Sequence, residues 1–312
     1  MWLQVLLLVG SIVALYFGAE LALEAAEKIG KYFGLSPLVI GLVLIGFGTS
    51  LPELFVSHLA AYRGVPAMAM GNVVGSNVAN LFLILGLSGI FANLYILRKE
   101  IFMQFIYHIV VTLLLGVVLW WKRIDWLMSL MLLSFFTFFL GFTFHEMKKQ
   151  RQTKHVHDDE DEREVVVLGI GIIAKLFAGF VLLYLGGEYL VSSGSAIAKE
   201  LGISEFVISA IFVAFGTSFP EFVTALVASI KKKNTDIITG NIIGSNIFNV
   251  AFILGTLGFQ GIEIKDNYWV EWQVLMGAAF FMLGLYLFKK NFGKIPGVLF
   301  LGSYIGMIIY WT

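Results

Sequence analysis

Two copies of one polar block, about half a chain apart, lie inside segments otherwise apolar enough to cross a membrane. The first copy reads GFGTSLPELFVSHLA and then GNVVGSNVANLFLILG; the second reads AFGTSFPEFVTALVA and then GNIIGSNIFNVAFILG. Each carries one carboxylate, Glu53 in the first and Glu221 in the second. Placing an ionisable group in hydrocarbon costs roughly 2.5 to 3.5 kcal/mol on insertion scales, so two of them at matched depth need a reason beyond packing. Duplicated membrane halves with polar, helix-breaking segments in corresponding places are the pattern of a transporter.

The remaining chain agrees with a membrane setting. Hydrophobic residues make up 59% of the 312 and charged residues only 13%, against about 25% charged in soluble domains. Ten apolar stretches long enough to span hydrocarbon can be drawn, at 2–27, 37–62, 67–91, 101–121, 124–145, 165–196, 204–230, 236–259, 269–288 and 295–311. The first is read as a permanent helix, because no small-residue cleavage site with polar sequence follows it. There is no cysteine, which excludes disulfides and thiolate metal sites. The expected fold is all-α and polytopic, with ten transmembrane helices in two inverted five-helix repeats. The first repeat covers 1–146, a cytoplasmic linker 147–164 and the second repeat 165–312.

Loop charges predict the orientation. With the N-terminus outside, inner loops hold most of the basic residues, among them Lys28, Lys31, Arg98, Lys99, Lys148, Lys149, Arg151, Lys231, Lys232, Lys233, Lys289 and Lys290. The outer loops keep Arg63, Lys122, Arg123, Lys199 and Lys265. That asymmetry puts both termini outside and the central loop in the cytoplasm. Five helices per half is an odd number, so the second half inserts upside down relative to the first.

The repeat is longer than the block. YFGAELALEAAEKIGKYFGLSPLVIG, from Tyr16, aligns with YLGGEYLVSSGSAIAKELGISEFVIS, from Tyr184. The offset is 168 residues as far as Glu53 and Glu221 and 169 from Asn72 and Asn241 onward, so one residue was gained in the intervening loop, where insertion is tolerated. The stretch KKQRQTKHVHDDEDERE between the halves is too polar to bury and reads as a flexible linker. The fourth, fifth, ninth and tenth helices carry few polar groups and read as supporting walls.

Within each block, proline decides the local geometry. Pro52 and Pro220 lack an amide hydrogen and clash with the carbonyl four residues back, so each second helix should break near Gly48 and Gly216. Freed carbonyls, the hydroxyls of Thr49, Ser50, Thr217 and Ser218, and the carboxylates of Glu53 and Glu221 form an all-oxygen set, which suits hard cations. On the third and eighth helices Asn72, Ser76 and Asn80 fall at i, i+4 and i+8, as do Asn241, Ser245 and Asn249. Small residues run beside them, Gly71, Gly75 and Ala79, echoed by Gly240 and Gly244, and allow close backbone approach. Asn77 and Asn246 stand one position off the stripe and are expected to bond backbone.

Other polar residues carry blander readings. Glu20 and Glu188 repeat near helix ends, where interfacial anchoring and lining an ion pathway both remain open. His58 has Leu226 at its matching place and reads as a packing residue. The acidic run from His155 to Glu162 lacks the glycine turn and ligand spacing of an EF-hand and reads as solvated linker. An intramembrane hydrolase would need a Ser nucleophile with a positioned His; Ser50 and His58 are available, but the second half holds no such pair. No catalytic residue is expected.

At these residues the sequence resembles the sodium/calcium exchanger branch of the cation/calcium antiporter superfamily, prokaryotic type. Its GTSLPE-type and GNxxGSN-type blocks appear here as Gly48 to Glu53 with Gly71 to Asn77, and Gly216 to Glu221 with Gly240 to Asn246. The resemblance implies a cation site between the second, third, seventh and eighth helices, and alternating access in which the first and sixth helices move across the rest. Carried over position by position, Glu53 and Glu221 are the central carboxylates. Thr49, Ser50, Thr217, Ser218, Ser76 and Ser245 add oxygens, the backbone carbonyls of Gly46 and Ala214 complete flanking sodium sites, and Asn80 and Asn249 are the last positions. Several prokaryotic and potassium-dependent relatives hold aspartate in the place of Asn249, so asparagine in both halves argues against potassium dependence. The resemblance implies Na⁺ and Ca²⁺ as substrates, no cofactor, no nucleic acid, no obligatory protein partner and a prokaryotic plasma membrane. A Ca²⁺/H⁺ antiporter stands as the nearest alternative, and a passive cation channel or calcium sensor as a more distant one.

Overall fold

The computed structural model describes residues 2–97, 99–154, 168–202 and 217–311. Among these described residues ten helical runs follow one another. In the first half these are α1 (Trp2–Phe33), α2 (Pro37–Tyr62), α3 (Pro66–Phe91), α4 (Lys99–Trp121) and α5 (Trp126–Lys154). In the second they are α6 (Ile170–Glu200), α7 (Phe219–Ile230), α8 (Thr235–Gln260), α9 (Trp269–Leu287) and α10 (Lys294–Trp311). All but α7 are long and apolar enough to cross a membrane. The sequence segment expected to begin that helix, 203–216, lies outside the described residues. So do 155–164 of the expected linker, including its acidic run. The linker's first residues are a continuation of α5, which runs on through Lys154; Met, Lys, Gln and Arg are good helix formers and extend the helix past the membrane.

Burial separates centre from periphery. In the membrane-spanning windows of α3 and α8, 83% of residues are buried, against 28% in α1 and 22% in α6. Among the described spans α3 and α8 alone are therefore enclosed by protein on nearly all sides, and these are the helices that carry the Asn–Ser–Asn stripes. Around them α2 packs against α8 and α4 against α9, while α1 and α6 lie against each other. Contacts of Gly18 with Leu183 and of Gly179 with Ala22 run in opposite directions along α1 and α6, so the pair is antiparallel.

The small-residue stripe does what its composition implies on α8. A methyl group on Gly244 would sit 2.3 Å from the carbonyl oxygen of Leu42, and one on Gly240 would sit 2.4 Å from that of Leu38. Backbone meets backbone there, and neither helix can yield without moving the site. Gly244→Val is expected to cost about 3 kcal/mol or more, visible as a lowered midpoint of heat-induced aggregation in detergent; an unchanged midpoint would contradict this packing. The segment related by the repeat to the first part of α2, 203–216, lies outside the described residues.

Loops sort into two sets, each at one end of the bundle. At one end Arg123–Ile124 (β1) pairs antiparallel with Ile262–Glu263 (β2), and Tyr268 donates to the carbonyl of Ala67 at 3.2 Å. Asp125 closes the turn into α5 by accepting from the amides of Leu127 and Met128, and the Met128 bond holds its carboxyl below the usual range. At the other end Leu94 bridges Phe292, and lysines meet the acidic face of α1. Glu24 pairs with Lys175 at 2.6 Å and Lys28 at 2.9 Å. Glu27 pairs with Lys233 at 2.8 Å, and Glu20 with Lys231. Glu20 thus meets the C-terminal end of α7 from within α1, and Glu188 is exposed. These sets coincide with the outer and inner loops drawn from the charge pattern.

Candidate cation site

Pro52 breaks its helix as its chemistry requires, and the described start of α7 repeats the geometry around Pro220. In α2 a helical turn ends at Thr49, Ser50 leaves helical geometry at φ −84°, ψ 7°, and a new segment starts at Leu51 with Pro52 in its first turn. In α7 Ser218 has φ −87°, ψ 7°, followed by a segment with Pro220 in the same place. Proline has no N–H, so the bond that the carbonyl of Gly48 would accept in a continuous helix is not made. Glu53 and Glu221 fall in the first turns of the segments that start at Leu51 and Phe219, and both are fully buried.

The two halves are laced together by exchange. Ser50 Oγ donates to Glu221 Oε1 at 2.8 Å, and Ser218 Oγ donates to Glu53 Oε1 at 3.3 Å. Thr49 Oγ1 reaches Asn241 Oδ1 at 3.4 Å, and Thr217 Oγ1 donates to Asn72 Oδ1 at 2.9 Å. Each repeat's hydroxyls serve the other repeat's carboxylate and amide. Ser76 joins from α3, within 3.4 Å of both Glu53 Oε1 and Thr217 Oγ1. Ser245 donates instead to the carbonyl of Gly46 at 3.0 Å. Asn72 also donates to the carbonyl of Glu53 at 3.2 Å and to Ser57 at 2.9 Å, whereas Ala225 stands where Ser57 would recur and the Asn241 amide nitrogen has no partner among the described residues.

Deeper along α3 and α8 the helices widen into π-turns, at Ala79–Leu85 and Phe248–Ile253. Such turns are rare and frequent at functional sites. Here they begin beside Asn80 and Asn249. Asn80 Nδ2 donates to Asn246 Oδ1 at 3.0 Å, and Asn249 Nδ2 donates to Asn77 Oδ1 at 3.1 Å. Asn77 and Asn246 donate to each other's backbone carbonyls at 3.5 and 3.4 Å, as their off-stripe positions suggested.

Four buried oxygens at this centre are left without a hydrogen-bond partner among the described residues: Glu53 Oε2, Glu221 Oε2, Asn80 Oδ1 and Asn249 Oδ1. They form two pairs related by the repeat. Two buried carboxylates with no basic side chain bonded to them among the described residues carry a large desolvation cost unless cations compensate it. Oxygen donors of this kind fit Na⁺ or Ca²⁺ and not a soft metal.

Of the residues singled out in the sequence, Gly46, Thr49, Ser50, Glu53, Ser76, Asn80, Thr217, Ser218, Glu221, Ser245 and Asn249 all belong to this lattice of contacts. Ala214 lies outside the described residues. His58 bonds the carbonyl of Leu54 in its own helix at 2.9 Å, while Ser50 bonds Glu221, so no Ser–His pair is assembled. One sequence reading is corrected: α4 is more than a supporting wall. It places His108, 4% exposed, with Nε2 at 3.2 Å from Asn246 Nδ2. The polar pair Gln104 and His108, four residues apart in an apolar helix, was the available signal.

A family model described as "Sodium/calcium exchanger protein" matches residues 3–145 and 171–312. The chain belongs to the sodium/calcium exchanger family. Among its relatives, an uncharacterized membrane protein of Methanocaldococcus jannaschii is 32% identical over 94% of this chain and 93% of its own. The sodium/calcium exchanger MaX1 of Methanosarcina acetivorans is 31% identical over 84% of both. Mouse sodium/potassium/calcium exchanger 2 matches 45% of this chain but only 22% of its own length, at 29% identity. The solved structure of the sodium-calcium exchanger NCX_Mj, soaked with 2.5 mM Na⁺ and 10 mM Sr²⁺, superposes with a TM-score of 0.83 at 27% identity and covers 98% of both chains. This exchanger is therefore a multi-pass membrane protein with the architecture of that relative along almost its whole length.

Proposed function

We propose that the chain is a secondary active antiporter exchanging Na⁺ for Ca²⁺ at one central, oxygen-lined site reached alternately from the two sides. The observation that carries this reading is the symmetric set of four unpartnered buried oxygens, two carboxylate and two amide. Glu53 and Glu221 are the central ligands, with Asn80, Asn249, Thr49, Ser50, Thr217, Ser218, Ser76 and Ser245 around them. The carbonyls of Gly46 and Ala214 complete flanking sodium positions. Two ionised carboxylates neutralise one Ca²⁺ or two Na⁺, so one site serves either cargo in turn. Coupling then requires only that the empty site, with two uncompensated charges, reorients poorly.

Sodium suits the site better than protons. The hydroxyls of Thr49, Ser50, Thr217 and Ser218 already point between the halves and can replace the hydration shell of a monovalent cation, whereas proton carriage needs only the carboxylates. We place the protein in a prokaryotic plasma membrane with both termini outside, on the loop-charge asymmetry. Because the chain has no cysteine, a single cysteine introduced beside Lys265 or beside Lys290 reports sidedness with an impermeant thiol reagent; labelling of the Lys290 position from outside would reverse the orientation.

The central test is radioactive Ca²⁺ uptake into Na⁺-loaded proteoliposomes, repeated with a proton gradient alone and with no gradient. Uptake should require outward Na⁺; uptake indifferent to it would overturn the proposal, and uptake without any counter-ion would indicate a channel. Within the same assay Ser50→Ala is expected to raise half-saturating Ca²⁺ by about tenfold, the scale of one charge-assisted hydrogen bond. Ser218→Ala should cost less, because Ser76 still donates to Glu53 Oε1. Equal effects would show that the two carboxylates are not held as described.

A further inference from the structure

The ring of four asparagines between α3 and α8 follows the repeat in every bond but one. Asn80 binds Asn246 as Asn249 binds Asn77, and Asn77 and Asn246 reach each other's carbonyls. Asn246 alone has a further partner, His108 Nε2 on α4 at 3.2 Å. Its counterpart Asn77 has none among the described residues. His108, Asn246 and Asn80 are all buried, at 4%, 0% and 0% exposure. Around the imidazole the lining is mostly apolar, with Leu81, Leu85, Phe105, Ile243 and Met282.

A side-chain amide offers an oxygen on one side and an NH₂ on the other, and rotation by half a turn swaps attraction for repulsion toward a cation. Asn246 is held from two sides: its Nδ2 donates to the backbone carbonyl of Asn77 at 3.4 Å, which can only accept, and the same NH₂ faces His108 Nε2 at 3.2 Å. With the amide so turned, the neutral imidazole accepts through Nε2 and carries its proton on Nδ1. Asn246 must then keep its NH₂ toward His108 and turn Oδ1 toward Asn80. Asn80 must in turn donate through Nδ2, and its Oδ1 is left facing away from that bond, buried and unpartnered. In the other half the corresponding orientation of Asn77 rests on one long bond of 3.5 Å to a backbone carbonyl.

We propose that His108 is a positioning residue for the cation site, acting through Asn246 to hold Asn80 with its oxygen toward the ion, so that Asn80 is the fixed amide ligand and Asn249 the adaptable one. The inference rests on the reading of Asn80 as a cation ligand and deepens it: one half of a duplicated site is stiffened from outside the duplication.

The test separates this from the transport proposal by measuring binding first. Ca²⁺ and Na⁺ are titrated calorimetrically into detergent-purified wild type, His108→Leu, His108→Gln, Asn80→Ala and the His108→Leu/Asn80→Ala double variant; transport is then measured in proteoliposomes. His108→Leu should weaken Ca²⁺ binding about five- to tenfold, the scale of one ligand bond, and raise half-saturating Ca²⁺ while leaving the maximal rate within about twofold. Glutamine keeps an acceptor at that depth, so His108→Gln should restore most of the affinity. The double variant should bind no more weakly than Asn80→Ala alone, because the histidine acts only through that asparagine. Wild-type affinity in His108→Leu, additive losses in the double variant, or a His108→Gln variant as weak as His108→Leu would each overturn the inference. A wild type that binds neither cation would overturn the reading of the site and this inference with it, whereas binding without Na⁺-driven uptake would overturn the antiport proposal and leave the relay supported.

Discussion

Glu53→Gln and Glu221→Gln are each expected to lower Na⁺-driven Ca²⁺ uptake by roughly a hundredfold or more while leaving membrane insertion and thermal stability near wild type. Each substitution keeps shape and hydrogen-bonding capacity but removes one of the two charges that balance a divalent ion. Truncating one member of a buried, hydrogen-bonded charge pair costs about 2–5 kcal/mol or more, and every 1.4 kcal/mol is a factor of ten. Stability should hold or improve, because in the free protein these carboxylates are buried with no basic side chain bonded to them among the described residues. The crosswise bonds sharpen the prediction: glutamine at 221 still accepts from Ser50, and glutamine at 53 still accepts from Ser218 and Ser76. A loss of transport with intact folding therefore isolates charge from architecture. Uptake persisting in either variant would remove the central carboxylates from the mechanism.

Asn249→Asp should change which ions drive the cycle more than whether the protein folds. Asn249 Oδ1 is already an unpartnered oxygen, so aspartate fits the space, but its second oxygen replaces the NH₂ that donates to Asn77 Oδ1 at 3.1 Å. Two oxygens then face each other unless a cation lies nearby, and the site carries three negative charges in place of two. The fixed charge cancels over a complete cycle, so the net charge moved per cycle is still set by the ions exchanged, but the Na⁺-loaded and Ca²⁺-loaded steps each carry one positive charge less. The division of voltage dependence between the two steps should shift, by at most about 2.3 kcal/mol per 100 mV for that one charge, read as exchange current against membrane potential under Na⁺-limited and Ca²⁺-limited conditions. Half-saturating Na⁺, Ca²⁺ and K⁺ should shift with it; identical currents and unchanged ion responses would show that Asn249 does not face the cargo.

Much of this site was legible because its rules are local. A proline inside an apolar helix breaks it wherever it stands, and the dihedral angles at Ser50 and Ser218 match within a few degrees. A buried carboxylate advertises function by its cost alone. The Asn–Ser–Asn spacing placed its residues on one helical face without reference to any partner. The exchange of Ser50 to Glu221 and Ser218 to Glu53 was beyond such rules, since it depends on how two halves with opposite orientation meet. The π-turns at Asn80 and Asn249 were equally hidden, because insertion of one residue into a helical turn leaves no mark in composition. His108 looked like an isolated polar residue in a supporting helix, and only the packing of α4 beside α8 shows what it touches.

By itself the sequence determined that this chain crosses a membrane repeatedly, is built from two related halves, breaks its second helix at a proline and places one carboxylate per half at matched depth. Each of these follows from hydrophobic length, backbone chemistry or repetition, which neighbours along the chain decide. Tertiary structure decided that each half's hydroxyls serve the other half's carboxylate, that four oxygens are left unpartnered, and that one histidine breaks the symmetry of the asparagine ring. Hydrogen-bond partners across 138 to 199 residues of sequence are chosen by which helices pack side by side. That choice is made by the whole bundle, through backbone contacts such as Gly244 against Leu42, and not by any segment alone.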